Sequence, residues 1–132
     1  MGDEKVVAVE LTGAEVEVLV AGLRQWSGPA ACTEEFATAM GFRGVDGLLK
    51  DAARLIADLE AEHPLTPVDW ARAILATEVA FASDAVGAGV EWGTVTGLTD
   101  EHTIGVLRAL QRKLVGVVYS QSSDPVEDVN RH

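Results

Sequence analysis

Apolar residues recur at helical spacing through most of the chain, in segments that begin with the same two-residue signal. The dipeptide Leu-Thr occurs at residues 11–12, 65–66 and 98–99, each time ahead of a segment with helical periodicity. In that position the threonine can accept hydrogen bonds from the first helix amides, while the leucine packs back on the first turn. The pattern therefore predicts a mainly α, single-domain bundle of four to five helices over residues 1–119.

The first helix is predicted over residues 13–26, where Thr12 and Glu15 form the two ends of a capping box. Its apolar stripe consists of Val16, Leu19, Val20, Leu23 and Trp26. Residues 15–18 also alternate between acidic and apolar side chains as a strand does. A hairpin that turns at residues 12–13 therefore stays open as the alternative.

The remaining helices are predicted from their starts. A short helix is predicted after Thr33. Asp46 is the predicted N-cap of the next helix, which has Leu48, Leu49 and Leu55 on its apolar face. Thr66, followed by Pro67 and Asp69, is the predicted N-cap of the helix after that. Thr99 begins the last helix, whose predicted apolar side includes Ile104 and Leu107.

Two segments fall outside the helical pattern. Residues 6–9 are rich in valine and predict a short strand or an ordered arm, for which residues 90–95 could supply a pairing partner. The bundle therefore has room for a minor two-stranded β element. After Tyr119 the composition turns polar, which predicts a disordered tail over residues 120–132.

The charge and the cysteine content narrow the classes of partner. A net charge of −11 disfavours a protein that binds nucleic acid, because such proteins need clustered cations. A basic protein partner fits this charge better, although an acidic surface can also serve solubility alone. The single cysteine, Cys32, excludes an internal disulfide and favours a reducing cytoplasm, and we expect neither a signal peptide nor a membrane span.

Glu78 is the anomaly in the helical pattern, because its predicted position lies inside the apolar arc of its helix. A carboxylate in that place must be paired, protonated or at a cavity. One interpretation is a structural bond to Arg24, to Arg54, to a histidine or to helix-end amides. The other is a ligand pocket between helices, lined by Glu78, Trp70 and Phe81.

Motifs for catalysis, cofactors or metals are missing from the sequence. The histidines His63, His102 and His132 are far apart, and none has the spacing of an established metal site. His102 follows Asp100 and Glu101, a run that fits a solvated capping turn better than a set of metal ligands. We therefore predict no catalytic residue, no metal and no cofactor.

A candidate interface lies on the last helix. Arg108, Arg112 and Lys113 form a basic stripe, and the small residues Gly105, Ala109 and Gly116 near it would let another backbone approach closely. The same face could simply be solvated. We expect a two-fold homodimer, the commonest closed assembly, and include Trp92 of the glycine-rich loop among the candidate contact residues.

These features favour a non-catalytic protein-interaction or regulatory domain that binds a basic protein partner. The alternative, from another class, is a small-molecule-binding protein or enzyme with an interhelical pocket around Glu78. A carboxylate beside open volume would support the second hypothesis, and a carboxylate bonded within the bundle would weaken it.

Overall fold

A computed structural model describes residues 5–26, 33–82, 92 and 96–130, with the backbone alone for residues 36 and 118–130. Five helices are described in this part of the chain. They are α1 (Gly13–Gln25), α2 (Glu34–Ala39), α3 (Gly44–Glu60), α4 (Pro67–Ala82) and α5 (Asp100–Asn130). The predicted mainly α bundle is confirmed, and the hairpin alternative for residues 12–18 is wrong.

Three of the predicted caps are present in the structure. The Thr12 hydroxyl accepts from the Glu15 amide at 3.1 Å, and the Glu15 carboxylate accepts from the Thr12 amide at 2.8 Å, which completes the capping box. Thr66 accepts from the Asp69 amide at 3.1 Å, and Thr99 accepts from the His102 amide at 3.1 Å. These starts depend on contacts within one turn, which explains why the sequence predicts them.

The predicted cap at Asp46 is wrong, because α3 begins earlier, at Gly44. Its N-cap residue is Arg43, which makes no side-chain capping bond. A carboxylate oxygen of Glu34, on α2, accepts instead from the Val45 amide at 3.3 Å. Gly44 has a φ of +71°, a conformation that favours glycine, so the chain turns sharply enough to bring α2 to this end of α3.

Helix α1 lies at the centre of the bundle and packs against α3, α4 and α5. Residues on almost every side of it are buried, and they include the polar side chains of Glu15 and Gln25. Glu17 and Arg24, which are absent from the predicted apolar stripe, are exposed. The core therefore forms around α1 rather than against one stripe of it.

Helices α1 and α4 approach each other closely at Gly22. A Cβ atom at Gly22 would lie 2.6 Å from the Thr77 methyl carbon and 2.8 Å from the Thr77 Cα. The Thr77 hydroxyl donates to the carbonyl of Ala73 at 2.9 Å, and the Trp26 indole donates to the carbonyl of Ala76 at 3.1 Å. Position 22 must therefore lack a side chain for the two backbones to approach this closely.

The buried face of α4 differs from the predicted one. It consists mainly of small residues at helical spacing, namely Ala73, Ala76, Thr77 and Ala80, with Trp70 at the N-terminal end. Leu75, a large apolar residue of the same helix, is 38% exposed. Burial here follows the shape of the contact with α1, whereas the apolar pattern gives most weight to large side chains.

Two other residues that the pattern places on apolar helix faces are exposed in the structure. Leu49 is 37% exposed and Ile104 is 42% exposed.

Val7 forms an isolated antiparallel bridge with Leu65, and the suggested pairing with residues 90–95 falls mainly outside the described residues. The backbone of α5 is helical to Asn130, while the domain boundary at residue 119 and the disordered tail remain predictions.

We expect Gly22→Ala to destabilise the protein by about 1–3 kcal/mol, the usual effect of forcing extra atoms into a packed core. Gly105→Ala is the matched control, because Gly105 also lies within a helix but a Cβ there meets nothing within 4 Å. That control should stabilise the protein by about 0.5–1 kcal/mol through helix propensity. Chemical denaturation measures both, and equal effects would contradict the close contact at Gly22.

Candidate functional site

The chain ahead of α1 forms an extended arm over residues 5–12. Alternate side chains, those of Val7, Val9 and Leu11, are partly buried against the core. The side chains between them, those of Val6, Ala8 and Glu10, are exposed. This alternation is that of a half-buried strand, although the arm has only one bridge to another segment in the described structure.

Hydrogen bonds hold the arm at two places. Near its start, the Val7 amide donates to the Leu65 carbonyl at 2.7 Å, and the Trp70 indole donates to the Val7 carbonyl at 2.9 Å. Near its end, the Lys113 ammonium donates to the Glu10 carbonyl at 2.8 Å. The arm is therefore fixed to α4 on one side and to α5 on the other, and Ala8 and Val9 lie between these attachments.

Glu15 connects the arm, α1 and α5. It is 4% exposed, and its carboxylate accepts both the Thr12 amide and the Lys113 ammonium. Burial alone raises the pKa of this carboxyl, but the bonds from Lys113 and Thr12 outweigh it and lower the pKa. The ionised form of Glu15 is thus the one that the fold stabilises.

A cavity of about 320 Å³ lies between the arm and the segment that joins α3 to α4. Its apolar lining comes from Val9, Leu11, Val16, Leu59 and Trp70. The lining also includes three acidic residues, Glu10, Glu60 and Glu62, and His63, together with Ala8, Gly13 and Pro64. We call this feature the arm cavity; it combines an apolar floor with a predominantly acidic rim.

The rim carboxylates differ in their bonding. Glu60 pairs with Arg24 at 3.1 Å, and His63 lies 3.2 Å from Asp58 through Nδ1. The carboxylates of Glu10 and Glu62 make no hydrogen bond or ion pair within the part of the chain that the structure describes. Two negative charges at the rim therefore remain to interact with a ligand.

Glu62 occupies an unusual position for a residue with a side chain. It follows the C-cap of α3 with a φ of 61°, and the next amide, that of His63, donates back to the Asp58 carbonyl at 2.8 Å. The Glu62 amide donates to the Leu59 carbonyl at 3.1 Å, so the two bonds form a Schellman motif. Glycine is the usual residue there, and the fold instead carries a carboxylate into the rim.

No cavity found among the described residues is lined by all three residues of the predicted ligand pocket. Glu78 is half-buried between α4 and α5, where it accepts from the Gln111 amide group at 2.6 Å. Phe81 packs edge to face on Trp92, with ring centroids 5.3 Å apart. Only Trp70 lines the arm cavity. The predicted position of Glu78 inside the buried arc is wrong, because α4 turns its small residues toward α1.

The predicted interface residues are divided between surface and core. Gly105, Arg108 and Arg112 are exposed on α5, and Ala109 is partly exposed. Lys113 is bonded to Glu15, so it does not belong to a free basic stripe. Trp92 is 0% exposed and donates to the Thr103 hydroxyl at 2.8 Å, which removes it from the candidate interface.

A second buried carboxylate, Asp69, serves to join α3 and α4. Both of its oxygens accept from the Arg54 guanidinium, at 2.9 and 3.1 Å. Arg72 lies 3.6 Å from the same carboxylate and stacks over the Phe42 ring. The bond to Asp69 raises the pKa of Arg54 further. The Asp69 carboxylate is fully bonded within the fold, and only the buried Nε of Arg72 has no hydrogen-bond partner among the described residues, so we assign this network a structural role.

Searches of the described residues for two other features gave none. No group of three or more His, Cys, Asp or Glu residues in the described ranges is placed to hold a metal ion. No helix within those ranges is both long and apolar enough to cross a membrane. Cys32 lies outside the described residues.

Comparison with protein-family models, with curated proteins and with solved structures found no match. The arm cavity must therefore be interpreted from its own geometry and charge.

We expect Glu15 to make stability depend on pH in the acidic range. Because its pKa is lowered in the folded state, its contribution is present above its ordinary value of 4.5 and is lost as the pH falls further. Denaturation across this range should show a loss of stability that Glu15→Gln reduces. Glu17→Gln, at an exposed position of the same helix, is the control and should keep the loss; identical profiles for the two variants would contradict this role.

Proposed function

We propose that this protein is a non-catalytic interaction domain that binds a basic partner protein at the arm cavity. The observation that supports this proposal is the combination of an apolar floor with the two unpaired rim carboxylates of Glu10 and Glu62. An apolar pocket surrounded by charge is the arrangement that holds an anchor side chain and orients it. A basic segment with an apolar anchor fits both parts.

The distribution of charge around the cavity supports a cationic partner. The rim carboxylate of Glu60 is already paired with Arg24. The carboxylates of Glu10 and Glu62 have no cation beside them among the described residues. The chain as a whole carries a net charge of −11, so its long-range field attracts cations and repels anions. Complementary charge of this kind mainly raises the association rate and selects among partners.

A small cationic molecule is the second candidate ligand. The cavity volume of about 320 Å³ is at the lower end of the range of about 300–1,000 Å³ for small-molecule sites. Such a ligand would bind at the arm cavity, where the apolar floor and the acidic rim lie together. The basic partner is the first choice because the cavity is bordered by exposed residues of the arm, Ala8 and Glu10, which a larger partner can also contact.

Two associated predictions remain open. A two-fold dimer through the exposed face of α5, at Gly105, Arg108, Ala109 and Arg112, is proposed from the small and basic residues there. A cytoplasmic setting is proposed from the single cysteine.

Titration of a fluorescent, capped hexapeptide of alternating lysine and valine tests the proposed function. We expect binding that weakens when the ionic strength rises from about 0.01 to about 0.1 M, as the Debye length falls from about 30 to about 10 Å. Glu10→Gln and Glu62→Gln should each weaken binding about two- to fivefold, the range for exposed charge pairs. Glu101→Gln, at an exposed position outside the cavity, is the matched control.

Equal affinity for a glutamate–valine hexapeptide, or an equal effect of Glu101→Gln and Glu62→Gln, would contradict the proposal. Phenethylamine, a small aromatic amine, separates the two candidate ligands. If it binds the cavity with the same dependence on Glu62 and the hexapeptide does not bind, the small-molecule function replaces the first.

Glu62→Gly should separate stability from binding at this site. Glycine adopts the left-handed backbone of position 62 without steric conflict, so we expect a gain of about 1 kcal/mol in the free energy of unfolding. The same substitution removes a rim carboxylate and should weaken hexapeptide binding as Glu62→Gln does. Thermal denaturation and the titration above measure the two effects; a destabilised variant would show that the Glu62 side chain is needed by the fold.

A further inference from the structure

We propose that the basic partner enters the arm cavity as an extended segment and pairs with the backbone of the arm at Val9. This inference rests on the proposed function and specifies the conformation of the partner. It concerns main-chain hydrogen bonds, whereas the proposed function concerns the charge and the apolar floor.

The register of the arm directs the backbone of Val9 into the cavity. The Val7 amide and carbonyl both bond to Leu65, at 2.7 and 3.4 Å, so this edge of the arm faces the segment before α4. In an extended strand, residues two apart present their amide and carbonyl to the same side. Val9 therefore faces the same side as Val7, and in antiparallel register its opposite residue would be His63.

No such second pair forms. Within the described chain no hydrogen bond joins Val9 to His63, and the arm cavity occupies the space between them, lined by residues 8–11 on one side and 62–64 on the other. The two segments thus separate after a single bridge. On the side of the arm, the gap that results is bounded by extended backbone, with which a further strand can pair.

The backbone groups of Val9 are left to be bonded by something else. Its amide and carbonyl make no hydrogen bond to described residues, although the residue is partly buried. The arm is also held firmly on both sides of this position, by Leu65 and Trp70 and by Lys113. An edge that is ordered and unpaired binds an extended peptide with little loss of its own conformational freedom.

The surroundings specify the side chains of the partner segment. Alternate residues of a strand project to opposite faces, so one set would contact the floor at Leu59 and Trp70 while the other lies at the rim with Glu10 and Glu62. The partner is therefore an extended segment that alternates apolar and cationic residues. The lysine–valine hexapeptide has this pattern.

Amide hydrogen exchange in the unmodified protein provides the first test. With the hexapeptide at saturation, we expect exchange of the Val9 amide to slow about tenfold or more, because it becomes hydrogen-bonded. The Ala8 amide faces the opposite edge and should change little. An unchanged rate at Val9 in a protein that has bound the peptide would overturn the inference.

Two proline variants provide the second test. Val9→Pro removes the amide that faces the cavity and should weaken hexapeptide binding about tenfold. Val6→Pro removes an amide on the other edge, at an exposed residue outside the cavity lining, and should keep the affinity within about twofold. Circular dichroism of both variants checks that the helices are retained. Equal losses in the two variants would overturn the inference.

The results also distinguish the two proposals. Salt-sensitive binding that depends on Glu10 and Glu62, without protection of Val9, would overturn the strand pairing and leave the proposed function in place. A hexapeptide that does not bind at all would overturn both.

Discussion

The close approach of α1 to α4 at Gly22 is the constraint on which the rest of the bundle depends. Helix α1 packs against α3, α4 and α5, and α4 packs against α3 and α5 as well. The distance between α1 and α4 therefore affects where α3 and α5 lie. The contact places the Thr77 side chain against the backbone of α1 and brings the Trp26 indole within 3.1 Å of the Ala76 carbonyl. Small residues at this contact allow dense packing without a large apolar stripe on α4.

The position of α4 in turn determines the candidate site. Trp70, in its first turn, is buried and bonds to the Val7 carbonyl, while Leu65 just before the helix pairs with Val7. Lys113 of α5 holds the other part of the arm through Glu10 and Glu15. The arm cavity lies where an arm fixed at these points separates from the end of α3.

Charge is distributed in a way that separates structure from binding. The most buried carboxylates, those of Glu15 and Asp69, are each bonded to a cation on another helix. Glu10 and Glu62 at the cavity have no such partner among the described residues. Because paired charges contribute little net field, the unpaired carboxylates at the cavity are the ones that can select a cationic ligand.

The sequence by itself determined the features that depend on contacts within a helical turn. The caps at Thr12, Thr66 and Thr99 were predicted correctly because each bond joins residues three apart. The helical class follows from these starts and from the periodicity between them. The valine-rich arm was also recognisable, since a run of β-branched residues is a local signal.

Only the tertiary structure decided which helix faces are buried, which charges are paired and where the cavity lies. Glu78 was expected in the core, but the small face of α4 packs on α1 and leaves Glu78 beside Gln111. Trp92 was expected at the surface and lies against Phe81 in the core. The arm cavity arises where residues far apart in the chain come together, and the left-handed position of Glu62 has no sequence signal because glycine is absent there. The positions of Glu78, Trp92 and the cavity depend on contacts between different elements of the fold, which local patterns do not contain.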